Sequence, residues 1–190
     1  MGITKILGKN KDSKRLSPFA RRGYFTNPFA IEELLHYVTR TRIDEARQRD
    51  LICYGVFGAA SYANIDVIIQ QFQYVQHVFQ NARGRKMYHF VYSFSPDEEE
   101  VIGKDYMLAY QIGQALAYYF WDQGFQILFA VHDEEEKRLH IHLAMNSVNF
   151  LTGKKYHISC GDESILNTSL NNIATSILIQ NRPWITLSAT

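Results

Sequence analysis

Two apolar segments joined by a polar loop constrain the fold of this 190-residue chain most strongly. Residues 125–132 read FQILFAVH, residues 139–149 read LHIHLAMNSVN, and the polar stretch DEEEKRL joins the two segments. Short runs rich in branched and aromatic side chains on either side of such a loop predict an antiparallel β-hairpin.

The remaining sequence alternates between strand and helix patterns. Strands are predicted at 2–7, 50–57 and 86–94, and helices at 27–40, 63–80, 106–122 and 162–181, with an acidic helix start in PDEEE. Helices that segregate from an antiparallel sheet define an α+β fold, here a central antiparallel sheet of about five strands flanked by helices. The length suits a single domain over residues 1–190, which can be the N-terminal part of a longer protein.

Charge and cysteine content narrow the function classes. The formal net charge is only +1, so any nucleic-acid contact must come from local basic clusters. Residues 8–26 form one such cluster, a basic loop for which a solvated surface and a DNA contact are both open readings. Cys53 and Cys160 match no disulfide or metal spacing, and no long apolar segment opens the chain, which predicts a cytoplasmic protein with free thiols.

Histidines mark one face of the predicted hairpin. Alternation separates the last strand into two faces, with His140, His142, Ala144 and Asn146 on one and Ile141, Leu143 and Met145 on the other. We expect the second face to be core and the first to lie outside it. His132 ends the preceding strand, so the hairpin should bring three imidazoles together at one end of the sheet. Three neutral histidines leave open positions on a divalent ion, as a Lewis-acid site needs.

A single histidine on a sheet face is more often a hydrogen-bonded structural residue than a ligand, but a His-x-His pair with a third histidine favours a metal site. The other four histidines show no converging partner and are left out of the predicted site: His36, His77, His89 and His157.

The helix predicted at 27–40 carries a tyrosine at the edge of its buried stripe. Asn27 suits the N-cap position, and Pro28 suits the first helical position. Tyr37 falls roughly 100° from the centre of the apolar stripe at 3.6 residues per turn. Its ring can therefore pack while its hydroxyl reaches solvent.

Three segments, in order, resemble the motifs of a known enzyme family. VHDEEEKRLHIHLAMNSVNFLTGKK resembles the third motif of P-type mobilization relaxases, within the HUH endonuclease class and its RRM-like sheet. YHFVYSFSPDE is similar to their second motif, and IEELLHYVTR to their first. The three segments span residues 31–155 and therefore most of the chain.

The resemblance implies a conjugative relaxase that nicks one strand of origin-of-transfer DNA. By this reading Tyr37 is the nucleophile and forms a 5′-phosphotyrosyl bond, while His132, His140 and His142 hold manganese or magnesium. Asp133 or Glu134 would be the acidic residue that supports the ligands. The implied DNA contacts are Ser93, Asn146, Lys154, Lys155, Arg40 and Arg42.

The same resemblance implies partners and a location. The partners are single-stranded or duplex origin DNA, an accessory DNA-binding protein and a type IV secretion coupling protein. The protein is expected in the bacterial cytoplasm, without membrane insertion, and passes to the recipient cell with the DNA.

Three alternatives remain open: a rolling-circle replication initiator, a non-catalytic single-strand binder that stacks bases on aromatic rings, and a metal-dependent hydrolase that uses water. In many initiators the tyrosine helix follows the histidines, whereas here it precedes them. Two other tyrosines compete for the role of nucleophile: Tyr24 in the basic loop and Tyr54 in a strand where we expect it to be packed.

Overall fold

The computed structural model describes residues 2–6, 24–42, 48–135 and 137–181. The strands in these ranges are β1 (Ile3–Ile6), β2 (Leu51–Phe57), β3 (Met87–Ser93), β4 (Phe125–His132) and β5 (His140–Asn149). The α-helices are α1 (Ala30–Val38), α2 (Ile65–Val78), α3 (Pro96–Ile102), α4 (Tyr106–Trp121) and α5 (Cys160–Gln180), and a 3-10 turn at Tyr24–Thr26 precedes α1.

The strands form one sheet in the order β1-β3-β5-β4-β2, and every neighbouring pair is antiparallel. The predicted hairpin is confirmed as β4 and β5, with His132 opposite His140 in the register. The α+β class with a five-stranded antiparallel sheet is therefore confirmed. β5 is the central strand of this sheet, and all of its residues are buried.

The two faces of the sheet carry different helices. The larger core packs α3, α4 and α5 against the face that includes Ile141, Leu143 and Met145. A smaller core packs α1 and α2 against the opposite face, where Ala144 lies with Leu128. The expectation that the histidine face lies outside the core was wrong, because α1 and α2 cover it and every residue of β5 is buried.

Side-chain caps fix most helix starts. Ser95 and Ser159 begin α3 and α5 with reciprocal capping boxes, and Asp105 accepts two backbone N–H groups at the start of α4. The predicted cap of α1 was wrong by two residues. Phe29 is its N-cap, because Asn27 Oδ1 instead accepts the Phe29 N–H at 2.7 Å in a turn before the helix.

The described residues include only part of the segments for which we predicted a basic loop and free cysteines. Of the basic loop at 8–26, residues 8–23 and the Tyr24 side chain lie outside them, as does the Cys160 side chain. Cys53 is a free, half-buried cysteine, and burial raises the pKa of its thiol. Within the described ranges, no helix has the length and apolar character that crossing a membrane requires.

Candidate active site

The antiparallel register brings the three predicted histidines together at one end of the sheet. His132 on β4 pairs with His140 on β5, and Ala130 pairs with His142, so all three imidazoles project from the same face. One ring nitrogen from each histidine lies within 4.8 Å of the others, and all three rings are buried. The predicted convergence is thus present in the structure.

Backbone carbonyls hold two of these rings in orientation. His132 Nε2 donates to Val38 O at 2.7 Å, a carbonyl at the C-terminus of α1 that has no helical partner. His140 Nδ1 donates to Arg138 O at 2.8 Å. These bonds fix the tautomers, so that His132 Nδ1 and His140 Nε2 each keep a lone pair for a ligand.

A fourth histidine, left out of the site predicted from the sequence, contacts the third ring. His89 on β3 is completely buried, and its Nε2 lies 2.8 Å from His142 Nδ1. Alternation along the strand already placed His89 on the face of Ser93, but the pairing of β3 with β5 decided that this face meets His142. When His142 Nδ1 carries the proton and donates to His89 Nε2, His142 Nε2 is left for a ligand.

The four imidazoles are neutral near neutral pH. Burial, followed by the charge of neighbouring groups, lowers the pKa of His89 and of His132 to about 3. Burial also lowers the pKa of His140 and takes that of His142 well below its usual value. Neutral rings offer the lone pairs that metal coordination requires.

The spacing of the donor atoms suits a metal ion. His140 Nε2 and His142 Nε2 are 3.2 Å apart. Two nitrogens bonded at about 2.1 Å to one ion, at roughly 90–109°, lie about 3.0–3.4 Å apart. The His140–His142 pair therefore has the spacing of two ligands of one divalent ion, and with His132 Nδ1 it defines the triad used below: His132 Nδ1, His140 Nε2 and His142 Nε2.

Of the two acidic candidates, only Glu134 lies beside the triad. Its Oε1 is 3.5 Å from His140 Nε2 and accepts from Arg40 Nη2 at 2.9 Å. Burial raises the pKa of Glu134, but Lys137, His140 and Arg40 together lower it below the usual value. Asp133 points elsewhere, because its carboxylate accepts the Tyr106 hydroxyl.

Tyr37 lies in the same cavity as His140 and His142. A groove of about 480 Å³ is lined by Tyr37 and Ser93 together with Glu134, His140 and His142. The Tyr37 ring centroid is 5.7 Å from that of His142, edge to face. Tyr37 is half-buried, which agrees with the predicted border position on α1.

A family model for the MobA/VirD2-like relaxase nuclease domain matches residues 37–176. The chain belongs to this family. The match covers most of the chain, and it begins at Tyr37 and ends within α5. Family membership supports a relaxase or nuclease role in general.

Other comparisons add little to the relaxase assignment. A solved structure from work on the molecular basis of vancomycin resistance transfer in Staphylococcus aureus resembles the chain with a TM-score of 0.43 and 11% sequence identity. The similarity covers 74% of this chain and 76% of that chain. No curated protein sequence matches the chain.

Two arginines proposed as DNA contacts have different surroundings in the relaxase domain. The Arg40 guanidinium is only 4% exposed and points into the triad, with Nη2 at 3.1 Å from His132 Nδ1. Arg42 is exposed and pairs with Glu32 near the start of α1. Sequence alone could not separate them, because burial of Arg40 depends on how α1 docks on β4.

Asn146 does not contact a ligand histidine among the described residues. Its side chain is completely buried, and its amide donates to Phe72 O and to Gln126 Oε1, both at 2.9 Å. Its Oδ1 accepts from Gln76 Nε2 at 2.8 Å. The amide thus ties β5 to α2 and β4.

The lysines of the Thr-Gly-Lys-Lys turn lie at the opposite end of the sheet from the triad. Lys154 is exposed, whereas the Lys155 ammonium donates to the carbonyls of Arg83 and Arg85 in the loop before β3. Desolvation and the charge of Lys86 lower the pKa of Lys155. The two loops thereby form one basic patch, made of Arg83, Arg85, Lys86, Lys154 and Lys155.

The competing tyrosine Tyr54 was wrongly expected to be packed. It is 38% exposed on the edge strand β2, facing the same side of the sheet as Ala130. It is not among the residues that line the cavity containing Tyr37, His140 and His142.

Proposed function

We propose that this relaxase domain nicks one strand of origin-of-transfer DNA by attack of the Tyr37 hydroxyl oxygen on the scissile phosphate. The observation that carries the proposal is that Tyr37, His140 and His142 line one cavity. A nucleophile and a phosphate-binding centre must share such a space, because in-line displacement requires both at the same phosphorus atom.

The reaction exchanges one phosphoester bond for another. As the bond from Tyr37 Oη to phosphorus forms, the bond from phosphorus to the 3′ oxygen breaks; the phenol loses its proton and the 3′ oxygen gains one. The product is a 5′-phosphotyrosyl bond, so a 3′ hydroxyl can later reverse the step and rejoin the strand.

Neutralising the charge of the phosphate requires a cation at the triad. His132, His140 and His142 would hold a divalent ion, manganese or magnesium, which would supply Lewis-acid chemistry to the phosphate oxygens. The chain's own contribution is to hold the three rings neutral and oriented, through Val38 O, Arg138 O and His89. Ser93, directly opposite His140 in the sheet, lines the cavity and is proposed to contact the DNA beside the cut.

The basic patch is proposed to bind the DNA backbone away from the cut. Arg83 and Lys154 are exposed there, and their charges suit phosphate contacts. Arg42 is proposed as a further contact near α1. We also propose that Asn146 and Lys155 contact DNA phosphates. Both side chains already make hydrogen bonds within the protein.

In the cell, we place this domain in the bacterial cytoplasm with an accessory DNA-binding protein and a type IV secretion coupling protein, and we expect it to enter the recipient attached to the DNA. Membership in the relaxase family supports these partners.

The deciding experiment is adduct formation. Single-stranded oligonucleotides that tile the non-coding DNA beside the gene for this chain are incubated with the protein and Mn²⁺, and the products are weighed by mass spectrometry. A protein–oligonucleotide adduct is expected. Cleavage that leaves a free 5′-phosphate without any adduct would identify water as the nucleophile, and binding without cleavage would favour a passive single-strand binder.

A further inference from the structure

Arg40 occupies a position in the active site that neither the motif match nor the phosphate-contact prediction explains. Its Nη2 donates to His132 Nδ1 at 3.1 Å and to Glu134 Oε1 at 2.9 Å. The guanidinium is buried, and it lies 4.9 Å from the centre of the Tyr37 ring. A cation of the protein is thus hydrogen-bonded to one of the three ligand nitrogens.

The bond to His132 excludes a metal at the same nitrogen. His132 Nε2 donates to Val38 O, so Nδ1 is the unprotonated nitrogen and has a single lone pair in the ring plane. That lone pair accepts from Arg40. A metal ion bonded to Nδ1 would lie about 2.1 Å along the same direction, too close to the Arg40 nitrogen for both cations to remain.

The backbone conformation of Arg40 and the burial of its Nε both indicate that holding the side chain in this position costs free energy. Arg40 has φ of 55°, in the left-handed region that residues other than glycine rarely adopt. Its Nε is buried and has no hydrogen-bond partner among the residues that the structure describes. An unpaired buried donor favours departure of the side chain once another cation takes over its acceptors.

We propose that Arg40 is an internal cation that competes with the divalent ion for His132 Nδ1 and Glu134. The proposal rests on the metal site proposed above and extends it in two respects. Metal binding displaces the Arg40 guanidinium, and the released Glu134 carboxylate, already 3.5 Å from His140 Nε2, becomes a fourth ligand. The balance between the two cations then sets the affinity of the site.

The test compares Mn²⁺ affinity, measured by isothermal titration calorimetry, in two variants that lose the same charge. Arg40→Gln removes the competitor. Lys5→Gln is the matched control, because Lys5 lines the same cavity but has no hydrogen bond or ion pair with the triad or Glu134 in the described ranges. We expect Arg40→Gln to bind Mn²⁺ at least tenfold more tightly than wild type. The Mn²⁺ affinity of Lys5→Gln should differ from that of wild type by less than threefold.

The role of Glu134 as a fourth ligand is tested in the Arg40→Gln variant, which lacks the competing guanidinium. Adding Glu134→Gln to Arg40→Gln should weaken Mn²⁺ binding at least tenfold, because the carboxylate is then lost as a ligand. An unchanged affinity would overturn the role of Glu134 as a fourth ligand. Circular dichroism and thermal unfolding verify each variant, and Arg40→Met replaces Arg40→Gln if the latter does not fold.

The wild type provides a direct measurement of displacement. Zn²⁺ is diamagnetic, and its addition should shift the guanidinium NMR resonances of Arg40, which are assigned by their loss in the Arg40 variant. Unshifted resonances at saturating Zn²⁺ would overturn the competition.

The outcomes separate this proposal from the proposed nicking activity. If the wild type binds Mn²⁺ and forms the adduct while Arg40→Gln binds no more tightly than Lys5→Gln, the competition is overturned and the nicking activity stands. If neither wild type nor Arg40→Gln binds Mn²⁺, the metal site and the competition are both overturned.

Discussion

His89 Nε2 lies 2.8 Å from His142 Nδ1, in a hydrogen bond between two buried rings on neighbouring strands. The bond matters for the site because, when His142 Nδ1 is the donor, His142 Nε2 keeps its lone pair for a metal ion, 3.2 Å from His140 Nε2. An acceptor at position 89 therefore controls the direction of a ligand lone pair.

Replacing His89 with Phe should weaken Mn²⁺ binding by roughly 10–100-fold, because the ring fills the space but offers no acceptor. His89→Gln restores an acceptor oxygen and should retain most of the affinity. Calorimetric titration of both variants measures the difference. Equal affinities in the two variants would show that packing, rather than the hydrogen bond, positions His142.

Tyr37→Phe should bind DNA and metal yet form no covalent adduct, because the substitution removes the nucleophilic oxygen and almost none of the packed area of the ring. Tyr54→Phe is the matched control, since Tyr54 is exposed on the same side of the sheet but outside the cavity. Mass spectrometry of intact protein measures the adduct, and peptide mapping locates it. An adduct on Tyr24 or Tyr54, or one that persists in Tyr37→Phe, would reassign the nucleophile.

The stability of the protein without added metal should fall as the pH drops below 6.5. His89 and His132 have folded pKa values of about 3, against an ordinary value of 6.5, so between these values the unfolded chain binds protons that the folded chain excludes. Each histidine should cost about 2 kcal/mol between pH 6.5 and 5. Urea unfolding in EDTA measures the trend, and His89→Phe should reduce it; a flat profile would mean that these rings accept protons in the folded state.

DNA affinity should depend steeply on salt despite the net charge of +1. Each phosphate contact to a single strand contributes about 0.7 to the slope of log affinity against log salt concentration. Lys154→Gln and Arg83→Gln should each reduce the slope by roughly that amount if the basic patch binds the backbone. Fluorescence anisotropy with a labelled oligonucleotide tests this, with exposed Lys104→Gln as the control. Unchanged slopes in both patch variants would place the DNA elsewhere.

Asn146→Ala should destabilise the fold by about 2–4 kcal/mol, because it leaves buried partners on Gln76, Gln126 and Phe72 unpaired. Asn172→Ala, on the exposed side of α5, should change the free energy of unfolding by less than about 0.5 kcal/mol. Chemical denaturation compares the two. A small loss in Asn146→Ala, together with weaker DNA binding by the folded variant, would favour the DNA contact implied by the motif.

Local patterns sufficed for most of the architecture. The hairpin was predicted because alternation and length are properties of contiguous residues, and β4 and β5 run within one residue of their predicted bounds. The N-cap of α1 was predicted wrongly. Asn27 suits an N-cap position when only its neighbours are considered. In the structure its side chain accepts a hydrogen bond from the Phe29 N–H in the turn that contains Pro28, and Phe29 is the N-cap of the helix.

By itself the sequence determined the His-x-His spacing, the third histidine across the loop, and hence their convergence, because strand period and hairpin closure follow from neighbouring residues. Only the tertiary structure decided that α1 and α2 cover that face, that β3 brings His89 against His142, and that Arg40 is buried against His132. These contacts join residues 53–92 positions apart in the chain, and no local pattern encodes which distant helix or strand will supply them. The pairing of strands and the docking of helices are fixed by burial of the whole apolar surface at once.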